Sequence, residues 1–225
     1  IKGLGEGPVE RILEARESGP LASLMDLCSR VDPHTVNKRT MEALIKAGAL
    51  DKLVEEQSYD HARAQLMVML PDAMQAAEQS NRNQASGVED LFGEIAPAEP
   101  ATEGSGAVAY RPWSERQRLT AERDTLGLYL SGHPIDEHLQ ELKQIAPNRL
   151  VSLRPERGTQ TAAGLVHSFR TMKSKSGDTI AFLTLDDRSA RFEVSLFARE
   201  YEKYRDLIQK DAILIIECGI SADDY

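Results

Sequence analysis

Hydrophobic residues over the first eighty positions recur at intervals of three and four, which is the spacing that one face of an amphipathic helix requires. Caps and breakers between them predict four helices: one that begins at Pro8 and ends near Gly19, one from about Ser23, one that is capped by Asn37 and ends at Gly48, and one from Ser58 that must kink or restart at Pro71. No such helix could bury its apolar face alone. We therefore expect residues 1–80 to pack as one helical module.

The pattern changes after this module. Residues 81–113 are polar, rich in Ala, Pro, Glu and Gly, and nearly free of bulky apolar side chains, which is typical of a flexible linker. Helical spacing then returns, and Ser114 with Gln117 three positions later predicts a capping box that opens a helix reaching Leu130. We expect residues 114–155 to form a helical connector that packs on the first module.

Apolar and polar residues alternate in the last third of the chain, as they do in half-buried strands. The alternation predicts an order of three strands, a helix and a further strand, with elements at Ile180–Leu185, near Arg191–Leu196, at Arg199–Ile208 and at Ala212–Glu217. Short polar loops between them favour a small Greek-key barrel of the five-stranded kind. The chain ends before the fifth strand, so the predicted domain at 156–225 is an incomplete barrel.

Composition excludes only a few classes of protein function. The 225 residues carry 27 Lys and Arg against 36 Asp and Glu, a formal charge of −9, which argues against a surface that binds polyanions everywhere. Cys28 and Cys218 lie far apart, which excludes a disulfide framework or a cysteine zinc site and fits a reducing cytoplasm. No apolar stretch approaches the roughly 18 residues of a membrane span, so no membrane partner is expected. Since the chain opens at Ile1 in mid-pattern, we expect it to be cut from a longer protein.

The opening segment, IKGLGEGPVERILEAR, places glycines directly before a helix. Glycines let the backbone approach a phosphate closely, and the first amides of a helix carry positive partial charge. The segment resembles the helix-hairpin-helix motif, which holds the DNA backbone, and the candidate contacts are Lys2, Gly3, Leu4, Gly5, Gly7 and Arg11. The alternative is a simple helix-capping turn. A second copy across 24–50 lacks the glycines in Asp32–Asn37, which indicates a structural half without a phosphate grip.

Three longer strings carry a more specific resemblance. VNKRTMEALIKAGALDKL, LGLYLSGHPID and TLDDRSARFEVSLF, in this order after the glycine hairpin, resemble the alpha subunits of bacterial replicative DNA polymerase III, members of the C family. The resemblance covers nearly the whole chain and points to the region downstream of the fingers. It implies an α+β multidomain fold, in which a helix-hairpin-helix module is followed by an incomplete OB-fold barrel.

The same resemblance implies a parent enzyme, a DNA-directed DNA polymerase whose palm carboxylates bind two Mg²⁺ ions. Those carboxylates are not in this stretch, so the chain itself is expected to be non-catalytic, with no metal and no cofactor of its own. The expected partners are double-stranded and single-stranded DNA, the sliding clamp and other replisome subunits. The DNA-binding region of a repair enzyme, such as a ligase or an excision nuclease, is the competing hypothesis, and a protein-interaction hub is a third.

One pentapeptide stands out within the linker. It consists of Val88, Glu89, Asp90, Leu91 and Phe92 and ends in the only pair of adjacent bulky apolar residues of that segment. In a disordered linker, such a pair can be buried only by contact with a binding partner. The peptide is similar to the family's clamp-binding motif, which usually begins with Gln. Val88 lacks the hydrogen bonds of that glutamine, whereas Leu91 and Phe92 keep the apolar anchors. The alternative is a contact with the chain's own barrel.

A basic run at Arg170, Lys173 and Lys175 precedes the turn between two strands, where the loop of an OB fold borders the nucleic-acid groove. Phe182 is the candidate base-stacking ring, and Arg191 a weaker contact. The alternatives are a solvated loop and a ring buried in the core. Alternation places Phe169 and Phe192 in the core.

Two further features are interpreted as turns. Adjacent aspartates in a strand point to opposite sides, so Asp186–Asp187 is expected to form a turn with Arg188 and Ser189 rather than a metal site. His133 lies between Gly132 and Pro134 without a nearby second metal ligand or nucleophile, which also indicates a turn.

Overall fold

The structure is a computed structural model and describes residues 1–55, 58–85 and 109–221. The chain divides into two compact units, Ile1–Ser131 and Gly132–Tyr225. Among the described residues, no helix has both the length and the apolar character needed to cross a bilayer.

The described part of the first unit is helical. It contains α1 (Glu6–Glu17), α2 (Leu24–Arg30), α3 (Lys38–Lys46), α4 (Tyr59–Ala85), α5 (Glu115–Leu126) and a single 3₁₀ turn at Asp51–Leu53. The predicted caps are confirmed: the Asn37 side chain accepts a hydrogen bond from the Thr40 amide, and Ser114 and Gln117 form the capping box. Ser23, near which the second helix was expected to begin, also caps it by accepting a hydrogen bond from the Asp26 amide. These caps satisfy amides that the first turn of a helix leaves unbonded.

The core of the first unit explains the length of α4. Leu66 and Leu70 are fully buried on α4 among apolar side chains of the other helices, including Leu27 of α2 and Met41 of α3. Proline lacks the amide that a helix interior uses. The helix nevertheless continues through the exposed Pro71 without a restart, because its apolar face is packed on both sides of that position.

The helix that the capping box opens is shorter than predicted. It ends at Leu126, four residues before Leu130, because Gly127 adopts the left-handed conformation at φ +81° and its amide bonds to Arg123 O. A glycine in this conformation is a common helix terminator, since it has no Cβ to clash.

The second unit contains an antiparallel sheet. Its strands are β1 (Gln160–Lys173), β2 (Thr179–Asp186), β3 (Arg191–Leu196) and β4 (Ile213–Cys218), in the spatial order β3-β2-β1-β4. Helix α6 (Leu139–Ile145) precedes the sheet, and α7 (Ala198–Tyr204) with a 3₁₀ turn at Arg205–Leu207 joins β3 to β4. The predicted order of strands and helix is confirmed.

The sheet curls into a half-barrel of the kind expected for an OB fold. The first half of β1 pairs with β4 and its second half with β2, and the register shifts between Val166 and Ser168, which marks a bulge at His167. A bulge bends a strand and increases its twist. The buried side chains of the concave side include Val166, Leu183 and Leu185.

The unit boundary divides the segment that the sequence assigned to one connector. Helix α5 lies in the first unit, whereas residues 132–155 lie in the second. Ile135, Leu142 and Ala146 pack against Ala163 of β1, so the apolar face of this segment is buried on the sheet. The apolar spacing gave no sign of which unit would cover it.

Candidate nucleic-acid interface

The glycine hairpin lies at the N-terminal end of α1. Gly3 has φ +83°, and the Leu4 amide bonds to Ile1 O at 3.2 Å, which closes a tight turn. The Lys2 amide donates to Thr125 O at 2.7 Å and so ties the hairpin to the end of α5. The Leu4 amide, one of the predicted backbone donors, is therefore engaged within the protein, and so is the amide of Lys2, whose predicted contact was its charged side chain.

The first turn of α1 supplies the other backbone donors. Gly5 is the N-cap residue, and no side chain caps this helix. By helix geometry the amides of Gly5, Glu6 and Gly7 lack intrahelical acceptors, whereas Pro8 has no amide to offer. The carboxylate of Glu6 in this turn opposes an anion, and the exposed Arg11 forms an ion pair with Glu14 at 2.6 Å. The hairpin thus offers a short amide cradle with few free charges.

The second, glycine-free turn lies beside the first. A Cβ on Gly7 would stand 3.8 Å from the Thr35 methyl group, so the two turns are in contact. The Asp32 carboxylate accepts hydrogen bonds from the Thr35 hydroxyl at 2.7 Å and the His34 amide at 3.1 Å, and these bonds lower its pKa. The donors of this turn are thus bound to a carboxylate of the same turn, which fits the prediction of a second hairpin that is structural and does not bind phosphate.

Three of the five predicted single-strand contacts share the convex face of the sheet. Because Leu183 and its strand neighbours at alternate positions are buried, Phe182 points to the opposite side. Arg170 is its direct cross-strand partner, and its guanidinium carbon lies 4.4 Å from the centre of the Phe182 ring. Arg191 on β3 lies on the same face. The structure therefore joins a half-buried aromatic ring and two arginines on one surface.

Acidic groups accompany both arginines on this convex face. Arg170 lies 3.5 Å from Glu193, and Arg191 bonds to Asp186 at 2.9 Å. Burial acts to raise the pKa of Asp186, but the hydrogen bond from Arg191 and other contacts outweigh it and lower the pKa. Each arginine has a local counter-charge, so the face carries little net charge.

The remaining basic residues lie at the hairpin between β1 and β2. Lys173 ends β1 opposite Thr179, three positions from Arg170 and hence on the other face of the strand, and Lys175 lies in the turn that follows. The two lysines therefore border the convex face and are not part of it.

Of the two phenylalanines that were predicted to lie in the core, one does and one does not. Phe192 packs against the buried cluster of the second unit as expected. Phe169 is 44% exposed, so its placement in the core was wrong. The cause is the bend in β1: the half of the strand beyond the bulge extends away from the core, and Ser168–Lys173 are exposed on both faces.

Both predicted turns are present. The Asp187 carboxylate accepts hydrogen bonds from the amides of Ser189 and Ala190 and from Arg149 Nε at 2.7 Å. Burial acts to raise the pKa of Asp187, yet these bonds lower it to about 2. His133 is buried, its Nδ1 accepts the Ile135 amide, and burial lowers its pKa. Across the described ranges, no cluster of three or more His, Cys, Asp or Glu side chains could hold a metal ion.

A buried polar network of the first unit was not anticipated from the sequence. Glu122 is fully buried and accepts hydrogen bonds from Arg63 Nη1, from the Leu130 amide, and from the amide and hydroxyl of Ser131. Arg63 also binds Asp51 at 3.1 Å. The network fixes the segment after α5, which is the start of the string LYLSGHP. An isolated glutamate on a polar helix gave no signal of this role.

The clamp-like peptide Val88–Phe92 lies outside the described residues, so the structure places none of its side chains. Its assignment stays a prediction from the sequence.

Comparison with known proteins supports nucleic-acid binding at both ends of the chain. A family described as a helix-hairpin-helix motif matches residues 1–60, and a family described as an OB-fold nucleic acid binding domain matches residues 160–225. These matches coincide with the glycine hairpin and with the curled sheet. The fold class predicted from the sequence is thereby confirmed.

Whole-length similarity extends between the two matches. The chain is 45% identical to the DNA polymerase III subunit alpha of Pseudomonas fluorescens and 46% identical to that of Pseudomonas aeruginosa, with 100% of this chain and 20% of each relative covered. The identity to the Escherichia coli K12 subunit is 45%, over 100% of this chain and 19% of that protein. The chain thus spans about a fifth of the length of these relatives. The resemblance to these alpha subunits that the motifs indicated is confirmed.

Proposed function

We propose that this chain, which is similar throughout to DNA polymerase III alpha subunits, is a non-catalytic segment that holds DNA and docks on the sliding clamp within a replicative DNA-directed DNA polymerase. The observation that carries the proposal is the coincidence of whole-length similarity with two nucleic-acid-binding families at opposite ends of one chain. The same observation favours a polymerase over the DNA-binding region of a ligase or an excision nuclease.

The hairpin would hold the backbone of duplex DNA. Amides at the uncapped start of α1 point along the helix axis with positive partial charge, and a phosphate oxygen accepts from them without reference to the base. Gly5 contributes no side chain to this surface, so a strand can approach its amide closely beside the carboxylate of Glu6. Lys2, exposed next to the turn, adds a charge-assisted contact.

The convex face of the sheet would hold single-stranded DNA. OB folds bind oligonucleotides on the face formed by their second and third strands, which here carry Phe182 and Arg191. A base that stacks on Phe182 would replace the guanidinium of Arg170, which then becomes free to contact a phosphate. Lys173 and Lys175 would extend that phosphate track along the rim of the face.

The peptide Val88–Phe92 would tether the polymerase to the sliding clamp. A tether turns a second binding event into an intramolecular one, so a weak grip on DNA becomes a lasting one. Other replisome subunits and a cytoplasmic site of action follow from the same assignment. We assign no metal or cofactor to this chain, because the resemblance places the Mg²⁺-binding carboxylates of the polymerase elsewhere.

A duplex-binding experiment tests the hairpin assignment. Gly5 has ordinary extended backbone angles, and a Cβ there would meet only Pro8 Cδ at 3.9 Å, so Gly5→Val keeps the fold and blocks close approach. We expect at least roughly tenfold weaker binding of a fluorescein-labelled 20-base-pair duplex, the effect of losing one charge-assisted contact. Gly219→Val, on the second unit and also without a positive φ, is the matched control. Equal duplex affinities for the two variants would refute the amide cradle.

A further inference from the structure

An open cleft lies on the first unit beside the glycine hairpin. It has a volume of about 600 Å³ and is lined by Lys38, Arg39, Glu42, Ala43, Lys46 and Thr125. We propose that this cationic cleft is a second phosphate-binding site, which takes the backbone of the same duplex that the hairpin holds. The inference rests on the proposed function and adds to it the residues on the solvent-facing side of α3.

The charges of the cleft are available to a ligand. Lys38 and Arg39 are exposed and Lys46 is half-buried on α3. Within the ranges that the structure describes, none of these three cations lies within 4.0 Å of a carboxylate oxygen. Glu42 is the one acidic residue of the lining, which leaves two net positive charges. In a chain of net charge −9, such a local excess of cations favours an anionic partner.

The arrangement of the cations follows the axis of α3. Lys38 and Lys46 stand at the two ends of a row along the helix, with Arg39 beside Lys38 and the acidic Glu42 midway between the two lysines. At 1.5 Å per residue, the row is about 12 Å long. A row of this length matches an extended backbone better than a compact anion, because its charges are distributed along a line.

The cleft is continuous with the hairpin. Thr125 belongs to its lining, and the Thr125 carbonyl accepts the Lys2 amide at 2.7 Å. Lys2 is exposed, and its backbone is therefore bound directly to a residue of the cleft lining. The start of α1 also meets the turn before α3, since a Cβ on Gly7 would stand 3.8 Å from the Thr35 methyl group, so a duplex held at α1 would reach α3.

The composition of the lining distinguishes phosphate from base recognition. None of the cleft residues is aromatic, so no ring is available for base stacking, which is the usual means of holding a single strand. Lysine and arginine side chains bind phosphate oxygens regardless of sequence. The cleft therefore favours the backbone of a duplex.

Charge removal tests the cleft in the 225-residue chain. Lys38→Gln/Arg39→Gln removes two of its charges. The control, Arg16→Gln/Arg116→Gln, also removes two exposed charges, one near the C-terminal end of α1 and one near the N-terminal end of α5, which are the helix ends away from the hairpin and Thr125. We expect the cleft variant to lower the slope of log K against log salt for a labelled 20-base-pair duplex by about 1.8, or about 0.9 for each phosphate contact, and the control variant to change it far less. Circular dichroism checks that both variants keep the fold.

A substitution of opposite sign makes the test independent of any loss of folding. Glu42→Gln removes the one acidic side chain of the lining and is expected to tighten duplex binding about threefold, because it leaves the cations without their nearest opposing charge. A cleft variant that matches its control, or a Glu42→Gln variant with unchanged affinity, overturns the cleft proposal. The proposal is also overturned if the cleft variant binds the duplex normally but loses affinity for an acidic protein.

The hairpin variant separates the two proposals. If Gly5→Val weakens duplex binding but Lys38→Gln/Arg39→Gln matches its control, the cleft proposal is refuted and the proposed function stands. Failure of the unmodified chain to bind duplex DNA at low salt refutes both.

Discussion

The guanidinium of Arg63 donates a hydrogen bond to Glu122 Oε1 at 2.9 Å, although the two residues are 59 positions apart and both side chains are buried. The other carboxylate oxygen of Glu122 accepts the amides of Leu130 and Ser131 at 2.7 and 2.9 Å. Burial acts to raise the pKa of Glu122, but these hydrogen bonds lower it, so the group stays charged. One carboxylate thus joins α4, α5 and the segment that follows α5.

This buried pair makes Gly48 sensitive to any side chain. Gly48 and Gly127 have similar backbone angles, φ +76° and φ +81°, but a Cβ on Gly48 would overlap the Arg63 guanidinium, whereas a Cβ on Gly127 meets open space. Alanine at either position should cost about 1–2 kcal/mol of unfolding free energy for the left-handed backbone. Gly48→Ala should cost about 2 kcal/mol or more beyond that, because Arg63 must leave its carboxylates. Urea titration followed by Trp113 fluorescence measures both variants, and equal losses would contradict the prediction.

Acid should weaken the second unit through Asp187. The pKa of this buried carboxyl is about 2 in the folded protein, below its usual value in an unfolded chain, so the charged form favours folding. Its contribution to stability is fully present above about pH 4 and is lost as the pH falls towards 2.

Asp187→Asn should lower stability at neutral pH and flatten the dependence between pH 4 and pH 2. Urea unfolding, followed by NMR signals of Leu183 and Val194 in the neighbouring strands, is the measurement. An unchanged pH dependence in the variant would show that other carboxyls carry it.

Single-strand binding should depend on Phe182. A stacked base contributes about 1–3 kcal/mol, so Phe182→Ala is expected to weaken binding of a fluorescein-labelled oligothymidine by roughly 5- to 150-fold. Phe197 is the matched control, because it is 66% exposed and lines an apolar groove with Leu196 and Leu214 rather than the convex face. An equal loss of affinity for Phe197→Ala would contradict the assignment of single-strand binding to the convex face.

Clamp binding should depend on the two apolar residues of the linker peptide. Leu91→Ala/Phe92→Ala removes both anchors and is expected to abolish binding to a bacterial sliding clamp in a calorimetric titration. Ile95→Ala, a truncation of an apolar side chain three residues further on, should leave the affinity unchanged. Val88→Gln should tighten binding, because it restores the side-chain hydrogen bonds of the usual motif. No binding by the unmodified chain would refute clamp docking and leave the DNA-binding proposal in place.

Local sequence predicted those features that depend on neighbours three or four positions apart. The caps at Asn37 and Ser114 were predicted from the sequence, because each joins a side chain to an amide in the next turn. The succession of three strands, a helix and a fourth strand along the second unit was predicted from alternation for the same reason, since pleated strands expose every second residue. The three longer strings additionally indicated the family resemblance that the comparisons confirm.

Features that arise from packing between distant segments needed the structure. The exposure of Phe169 depends on a bulge in β1, and the continuation of α4 through Pro71 depends on apolar contacts from other helices. The Arg63–Glu122 pair and the cationic cleft bring together residues from separate elements. A hydrophobic pattern states which face of an element is buried. It contains no information on which other element covers that face, because that choice is made by the summed packing and electrostatics of the whole unit.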